Sequence, residues 1–155
     1  MAPTPTYEVT GLTSADFDEW SAIFRAYIDF YKTSLSDEQY KKTFERLIEQ
    51  REGLQAFVAR ETLGDKTRMV GIAHFFPSQS TWSEQKFFFL DDLFVDPSVR
   101  GKGLGRKLIQ SIGDLARSKG YSRVQWVTAH DNITAQNLYN QVAQSFFKEY
   151  RMNVD

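Results

Sequence analysis

Between Val95 and Ile109 the sequence reads VDPSVRGKGLGRKLI, with glycines at 101, 103 and 105 set among Arg100, Lys102, Arg106 and Lys107. Glycine in the first turn of a helix costs roughly 1 kcal/mol relative to alanine, so something must need the bare backbone there. The N–H groups of a first helical turn lack internal partners and lie at the positive end of the helix dipole, which makes an anion the natural ligand. A plain strand-to-helix connection with a solvated basic patch has no use for three alternating glycines. The spacing is not that of a dinucleotide fingerprint, which needs G-x-G-x-x-G early in the chain and an acid about 20 residues later. It fails the Walker pattern as well. What remains is [RQ]-x-x-G-x-[GA] ahead of an amphipathic helix.

A second group able to do chemistry precedes this loop. Asp91 and Asp92 interrupt an otherwise apolar run from Lys86 to Val95. Buried carboxylates without partners are expensive, so they should face a wet cleft or a counter-group. Successive strand residues point to opposite faces, so only one of the two can meet a substrate unless the strand bulges. His74 and His130 have too few companions to suggest a metal site, and none is expected; His74 reads as a strand residue with a satisfied ring.

The elements that must position these groups follow from periodicity. Tyr7–Leu12 reads as a first strand. Thr13 and Ser14 supply cap chemistry for a helix carrying Phe17, Trp20, Ile23, Phe24, Tyr27 and Tyr31. Ser36–Gln39 reads as a capping box before Tyr40, Phe44, Leu47 and Ile48. Leu54–Arg60 and Arg68–Phe76 are strands joined by a turn-rich ETLGDKT. The run Lys86–Val95 has the pattern of a strand covered on both faces. Leu104, Leu108, Ile109, Ile112 and Leu115 recur at helical spacing, and Gly120 follows the helix end. Arg123–Thr128 is a further expected strand, Asn132 caps a short helix with Ala135, Leu138, Tyr139 and Val142 on one face, and Ser145–Val154 is an expected final strand. Strands and helices alternate, which predicts an α/β sheet with helices on both faces and a ligand site where a central strand gives way to a helix.

Composition bounds the function. The 155 residues suit one domain, 1–155, and are 41% hydrophobic, 25% charged and 15% aromatic. A net charge of −1 provides no global field for nucleic acid, and no stretch approaches the roughly 20 apolar residues of a membrane span. The absence of cysteines leaves the redox compartment open, and with no signal-peptide pattern the expected location is the cytoplasm, with the nucleus as the alternative.

The segment FFFLDDLFVDPSVRGKGLGRKLI resembles the acetyl-CoA-binding core of the GCN5-related N-acetyltransferase (GNAT) family, and DNITAQNLY resembles that family's later Asn cap and tyrosine helix. Within the family, LDDLFV together with STW at Ser80–Trp82 is similar to the polyamine and small-amine branch, which includes spermidine/spermine and fungal histone and polyamine acetyltransferases. The resemblance implies a mixed, mostly antiparallel central sheet flanked by helices and splayed at an acetyl-CoA cleft. It implies acetyl-CoA as cosubstrate, with its pyrophosphate held by Arg100, Gly101, Lys102, Gly103, Gly105 and Arg106. Backbone groups of Leu93, Phe94 and Val95 would meet the acetyl carbonyl and pantetheine arm, and Asn132 and Ala135 complete the coenzyme set.

Acetyl transfer from a thioester to an amine requires a neutral amine, an oxyanion donor and a proton for the departing thiolate. By resemblance Tyr139 is the acid for the thiolate. Asp91 stands where relatives have an acid that draws the amine's proton, here more safely through water because aspartate is short. Phe30, Tyr31, Trp82 and Asp92 are the further candidates for the acceptor pocket, aromatic faces being suited to cations. Where relatives often have glycine four residues after the tyrosine, this chain has Ala143. The implied reaction is acetylation of a small primary amine, polyamine- or amino-acid-like. The alternatives are a protein (histone) lysine acceptor and a non-catalytic acyl-CoA sensor. A homodimer is expected, with the aromatic ending SFFKEYRMNV at its edge.

Overall fold

A computed structural model describes residues 2–154. By its contacts the chain divides into a larger unit that ends at Gln125 and a smaller one that begins at Trp126.

The larger unit is a five-stranded sheet in the order β1 (Thr6–Gly11), β2 (Gln55–Leu63), β3 (Lys66–Ser78), β4 (Phe87–Val95) and β5 (Val124–Gln125). The first four strands pair antiparallel with their sequence neighbours, and β5 pairs parallel to β4. Two helices, α1 (Phe17–Phe30) and α2 (Asp37–Glu49), lie between β1 and β2 in the chain, and α3 (Leu104–Ser118) lies between β4 and β5. The Ser36 hydroxyl accepts from the Gln39 N–H and starts α2 as its sequence requires. Asp16 enters α1 after a 3-10 turn, accepts from the Thr13 N–H at 2.8 Å and pairs with Arg60.

Two cores sandwich the sheet. On one face Trp20, Phe24, Tyr40, Phe44 and Leu47 of α1 and α2 pack with Val58 and Ile72. On the other face the Cβ direction of Gly71 meets Leu108 of α3, and Phe57, Phe75, Phe88 and Tyr121 form a chain of ring contacts. Gly71 and Ile72 are neighbours on β3, so strand alternation assigns α1 and α2 to one face and α3 to the other.

The smaller unit contains α4 (Ile133–Val142), capped by Asn132, whose Oδ1 accepts from the Ala135 N–H at 3.3 Å. Two expected strands differ from the sequence reading. Arg123–Thr128 is strand only at Val124–Gln125, and Ser145–Val154 forms no strand. The first shortens because β5 pairs with β4 only at Phe88 and Phe89. The second finds no ladder partner among the described residues, and a lone extended segment has no ladder to hold it. Its Phe146, Phe147, Tyr150, Met152 and Val154 are exposed.

Candidate active site

The centre of the site is a break in β4. Leu90 lies opposite Phe75 and Asp92 opposite His74, so Asp91 is an extra residue with no partner on β3. Such a bulge reverses alternation, because two residues of one strand face a single step of the other. Phe88 and Leu90, opposite Pro77 and Phe75, share the face of α3, whereas Asp92 and Phe94, opposite His74 and Ile72, share the face of α1 and α2. The register slip therefore turns Asp92 toward α1 and leaves Asp91 at the break. The parallel ladder to β5 has already stopped at Phe89, so among the described residues β4 from Leu90 onward has β3 as its one ladder partner, with Leu93, Phe94 and Val95 in that stretch.

Asp92 enters a closed polar network. Trp20 on α1 donates its indole N–H to His74 Nε2 at 2.9 Å, and His74 Nδ1 lies 2.8 Å from Asp92 Oδ2. Tyr27, about two helical turns along α1 from Trp20, lies near enough to Asp92 and Tyr31 for its hydroxyl to feel both. Burial first, and then the Asp92 charge, push the Tyr27 hydroxyl far above the ordinary tyrosine value, so it stays a donor. Asp91 is exposed on its outer side, yet the protein around it desolvates the carboxyl, and the Asp92 charge adds to that. Together they raise its pKa against the smaller opposing effect of His74. No buried side-chain nitrogen or oxygen among the described residues lacks a hydrogen-bond partner.

An aromatic row runs along the same face. Phe30 meets Tyr31 edge-on at 5.3 Å between centroids, Tyr31 meets Tyr27 at 5.1 Å, and Tyr27 meets Phe94 at 5.8 Å. Phe30 and Tyr31 are 53% and 45% exposed, so the row leads from solvent to the carboxylates. Of the sequence candidates for the acceptor, Phe30 and Tyr31 thus lead through ring contacts to Tyr27, whose hydroxyl feels the Asp92 charge, and Asp91 is Asp92's chain neighbour. Trp82 sits on the turn before β4 and is 92% exposed. Trp20, Tyr27 and His74 were missed as site residues. The signal for Tyr27 was available, since it lies four residues before Tyr31 on one helix face.

The glycine loop follows β4. Asp96 donates its N–H to Val70 O and accepts from Ser98 N–H, starting a 3-10 turn over Pro97–Val99 that buries Val99. Gly101 and Gly103 then take φ of 80° and 72°, the left-handed region, and Gly103 caps α3. Beyond its chain neighbours, a Cβ on either glycine would meet no atom of the described residues within 4 Å, so these glycines serve the backbone conformation and leave open space before the helix. Among the backbone hydrogen bonds of the described residues, none is donated by the N–H of Gly101, Lys102, Gly103, Leu104 or Gly105. Unused N–H groups, a helix N-terminus and the exposed cations Arg100 and Lys102 fit a pyrophosphate. Lys107 is engaged elsewhere, donating to Tyr7 O.

In the smaller unit Tyr139 is half-buried on α4, its ring edge-on to Trp126 at 5.4 Å. The Asn132 side chain and the Ala135 N–H are bonded to each other as the helix cap. Ala143, which stands where glycine is frequent in the resembling family, has φ −151° and ψ −179°, an extended conformation that any residue adopts.

Comparison with known proteins agrees with this geometry. The family model described as the Acetyltransferase (GNAT) family matches residues 20–143. The D-amino-acid N-acetyltransferase of Saccharomyces cerevisiae is 34% identical over 136 residues, 87% of this chain and 83% of that protein. A thialysine N-epsilon-acetyltransferase of Caenorhabditis elegans is 27% identical over 138 residues, covering 88% of this chain and 81% of that one. Among solved structures, a probable acetyltransferase superposes with a TM-score of 0.81 at 22% identity, covering 96% of this chain and 98% of that one. An aminoglycoside N-acetyltransferase in complex with CoA gives 0.80 at 15% identity, covering 98% and 96%, which is a likeness of fold. The match across residues 20–143 spans the carboxylate bulge, the glycine loop and the tyrosine helix, and the chain belongs to the GNAT family of N-acetyltransferases.

Proposed function

We propose that this N-acetyltransferase moves the acetyl group of acetyl-CoA to the primary amine of a small molecule, polyamine- or amino-acid-like. The observation that carries this reading is the β4 bulge, which sets two adjacent carboxylates beside an exposed aromatic row. A protonated amine is a small cation, and carboxylates with aromatic rings are the groups that select one. The fungal D-amino-acid acetyltransferase and the nematode thialysine acetyltransferase, both named for small amine acceptors, support the same class.

In this reading the N–H groups of the glycine loop, with Arg100, Lys102 and Arg106, hold the pyrophosphate, and β4 backbone at Leu93, Phe94 and Val95 meets the pantetheine arm and acetyl carbonyl. Asn132 and Ala135 flank the coenzyme. Asp92 attracts the ammonium, Asp91 accepts its proton through water, and Phe30, Tyr31 and Trp82 bound the acceptor. The freed amine nitrogen attacks the thioester carbon. The C–S bond then breaks as Tyr139 gives its proton to the sulfur, and the second proton of the attacking nitrogen passes through water to restore the Tyr139 hydroxyl, giving coenzyme A and the acetamide. The chain acts as a homodimer with its C-terminal residues at the interface. Initial rates of thiol release over polyamines, D- and L-amino acids, thialysine and a histone-tail peptide test the reading. Small amines should give the highest kcat/KM. A peptide preference would move the acceptor to protein lysine, and binding of acetyl-CoA without turnover would leave a sensor.

A further inference from the structure

His74 is a buried ionisable side chain that the reaction as written does not use. It is 3% exposed and held from two sides. An indole N–H can only donate, so His74 Nε2 must accept at the 2.9 Å contact with Trp20. The ring proton then sits on Nδ1 and is donated to Asp92 Oδ2 at 2.8 Å. A proton on both nitrogens would leave two donors facing each other at Trp20. The other nearby groups are Tyr27 and, through it, Tyr31 from α1, and Asp91 on the same strand. The Asp92 charge also acts on the nearby Tyr27 hydroxyl, and the contact that fixes the carboxylate is the 2.8 Å bond from the imidazole.

The arrangement has more order than packing alone requires. An apolar side chain at 74 would fill the space between Trp20 and Phe24, whose rings lie 5.8 Å and 4.8 Å from the imidazole. Instead the position carries the one ring that can accept from an indole and donate to a carboxylate at once. The bulge at Asp91 brings Asp92 opposite His74, so bulge and histidine act together on the same carboxylate.

We propose that His74 is a positioning residue for amine acetylation: Trp20 locks its tautomer, and the Nδ1–H then holds Asp92 as an oriented acceptor-site carboxylate beside Asp91. The inference rests on the reading of Asp92 as part of the acceptor site. Its effect is exerted through Asp92 on the bound ammonium, and the acetyl-CoA site does not depend on it.

Two measurements test it. The first needs no variant. Nitrogen-15 spectra of the wild-type His74 ring should show a protonated Nδ1 and an unprotonated Nε2; a ring protonated on Nε2 overturns the proposal. The second compares His74→Leu, which removes both bonds, with His74→Gln, whose amide can accept from Trp20 and donate to Asp92. With the amine giving the best wild-type rate, His74→Leu should lower kcat/KM by about tenfold to a hundredfold, the size expected for a hydrogen bond to a charge. The loss should appear mainly in the amine KM, with acetyl-CoA affinity by calorimetry unchanged. His74→Gln should recover most of it. A folded His74→Leu within twofold of wild type overturns the proposal, as does a His74→Gln equally impaired, which would mark the role as structural. A wild type that turns over no small amine refutes the acceptor reading instead, and the tautomer measurement still decides the lock.

Discussion

Gly103→Asp separates the fold of the glycine loop from its ligand. Gly103 caps α3 at φ 72°, and a Cβ there would meet, beyond its chain neighbours, no atom of the described residues within 4 Å. The penalty to the free protein is therefore conformational, about 1 kcal/mol for a residue in the left-handed region. Aspartate is among the residues that tolerate this region, and it is also a favoured cap whose charge suits the helix dipole, which offsets part of the loss. For a domain of this size the melting temperature should fall by no more than about 2–4 °C. The ligand meets a different situation. A carboxylate about 5 Å from a phosphate repels it by about 3 kcal/mol at an effective dielectric near 20. That is on the order of a few hundredfold in Kd. Calorimetric titration with acetyl-CoA should show this loss, and Gly103→Asn, of the same shape without the charge, should lose only about tenfold or less. A folded Gly103→Asp within about threefold of wild type would refute the placement of the pyrophosphate. Equal losses in both variants would assign the effect to shape and not to charge.

Other outcomes follow from the same geometry. Tyr139→Phe should lower kcat and kcat/KM together by about a hundredfold to ten-thousandfold with acetyl-CoA affinity nearly intact, and a folded variant keeping most of its kcat would return Tyr139 to packing. Asp91 has its pKa raised, by desolvation first and the Asp92 charge second. A carboxyl whose folded pKa exceeds its unfolded one adds stability below the unfolded value, about 3.9, and loses it as pH rises through the folded value. Asp91→Asn should therefore melt higher than wild type at pH 7 while losing most activity, and the stability advantage should vanish near pH 3–4; a lower melting point at pH 7 would contradict the assigned cause. Asp92→Asn removes the neighbouring charge, so the acidic limb of the kcat/KM profile should move to lower pH, and an unmoved limb would count against Asp91 as the titrating group. Light scattering at micromolar concentration should give twice the 18.0 kDa chain mass, and the monomer mass would contradict the homodimer.

The parts of the molecule written locally were legible in the sequence. The Ser36 cap, the stripe of α3 and the glycines at 101 and 103 are each set by a few neighbouring residues, and the structure places them where propensity requires. The β4 bulge was foreseeable only as a condition, since two adjacent carboxylates could share a site if alternation failed, and nothing local says that it does. Its cause is the pairing with β3, and the same pairing joins His74 to Asp92 across 18 positions of sequence. Trp20 and His74 are 54 positions apart, so their bond could not be read from either segment. The expected strand at Ser145–Val154 failed for a related reason. Alternation and aromatic content describe a segment that can pair, and pairing also needs a partner edge.

The most direct test offers the enzyme a choice. Acetyl-CoA is incubated with an equimolar mixture of a polyamine, a D-amino acid, thialysine and a histone-tail peptide, and the acetylated products are quantified by mass spectrometry at low conversion. The acceptor reading predicts that a small primary amine carries nearly all of the transferred acetyl groups, and that Asp91→Asn loses most of that product. Acetyl groups found predominantly on the peptide, or coenzyme A bound with no acetylated product, would contradict it.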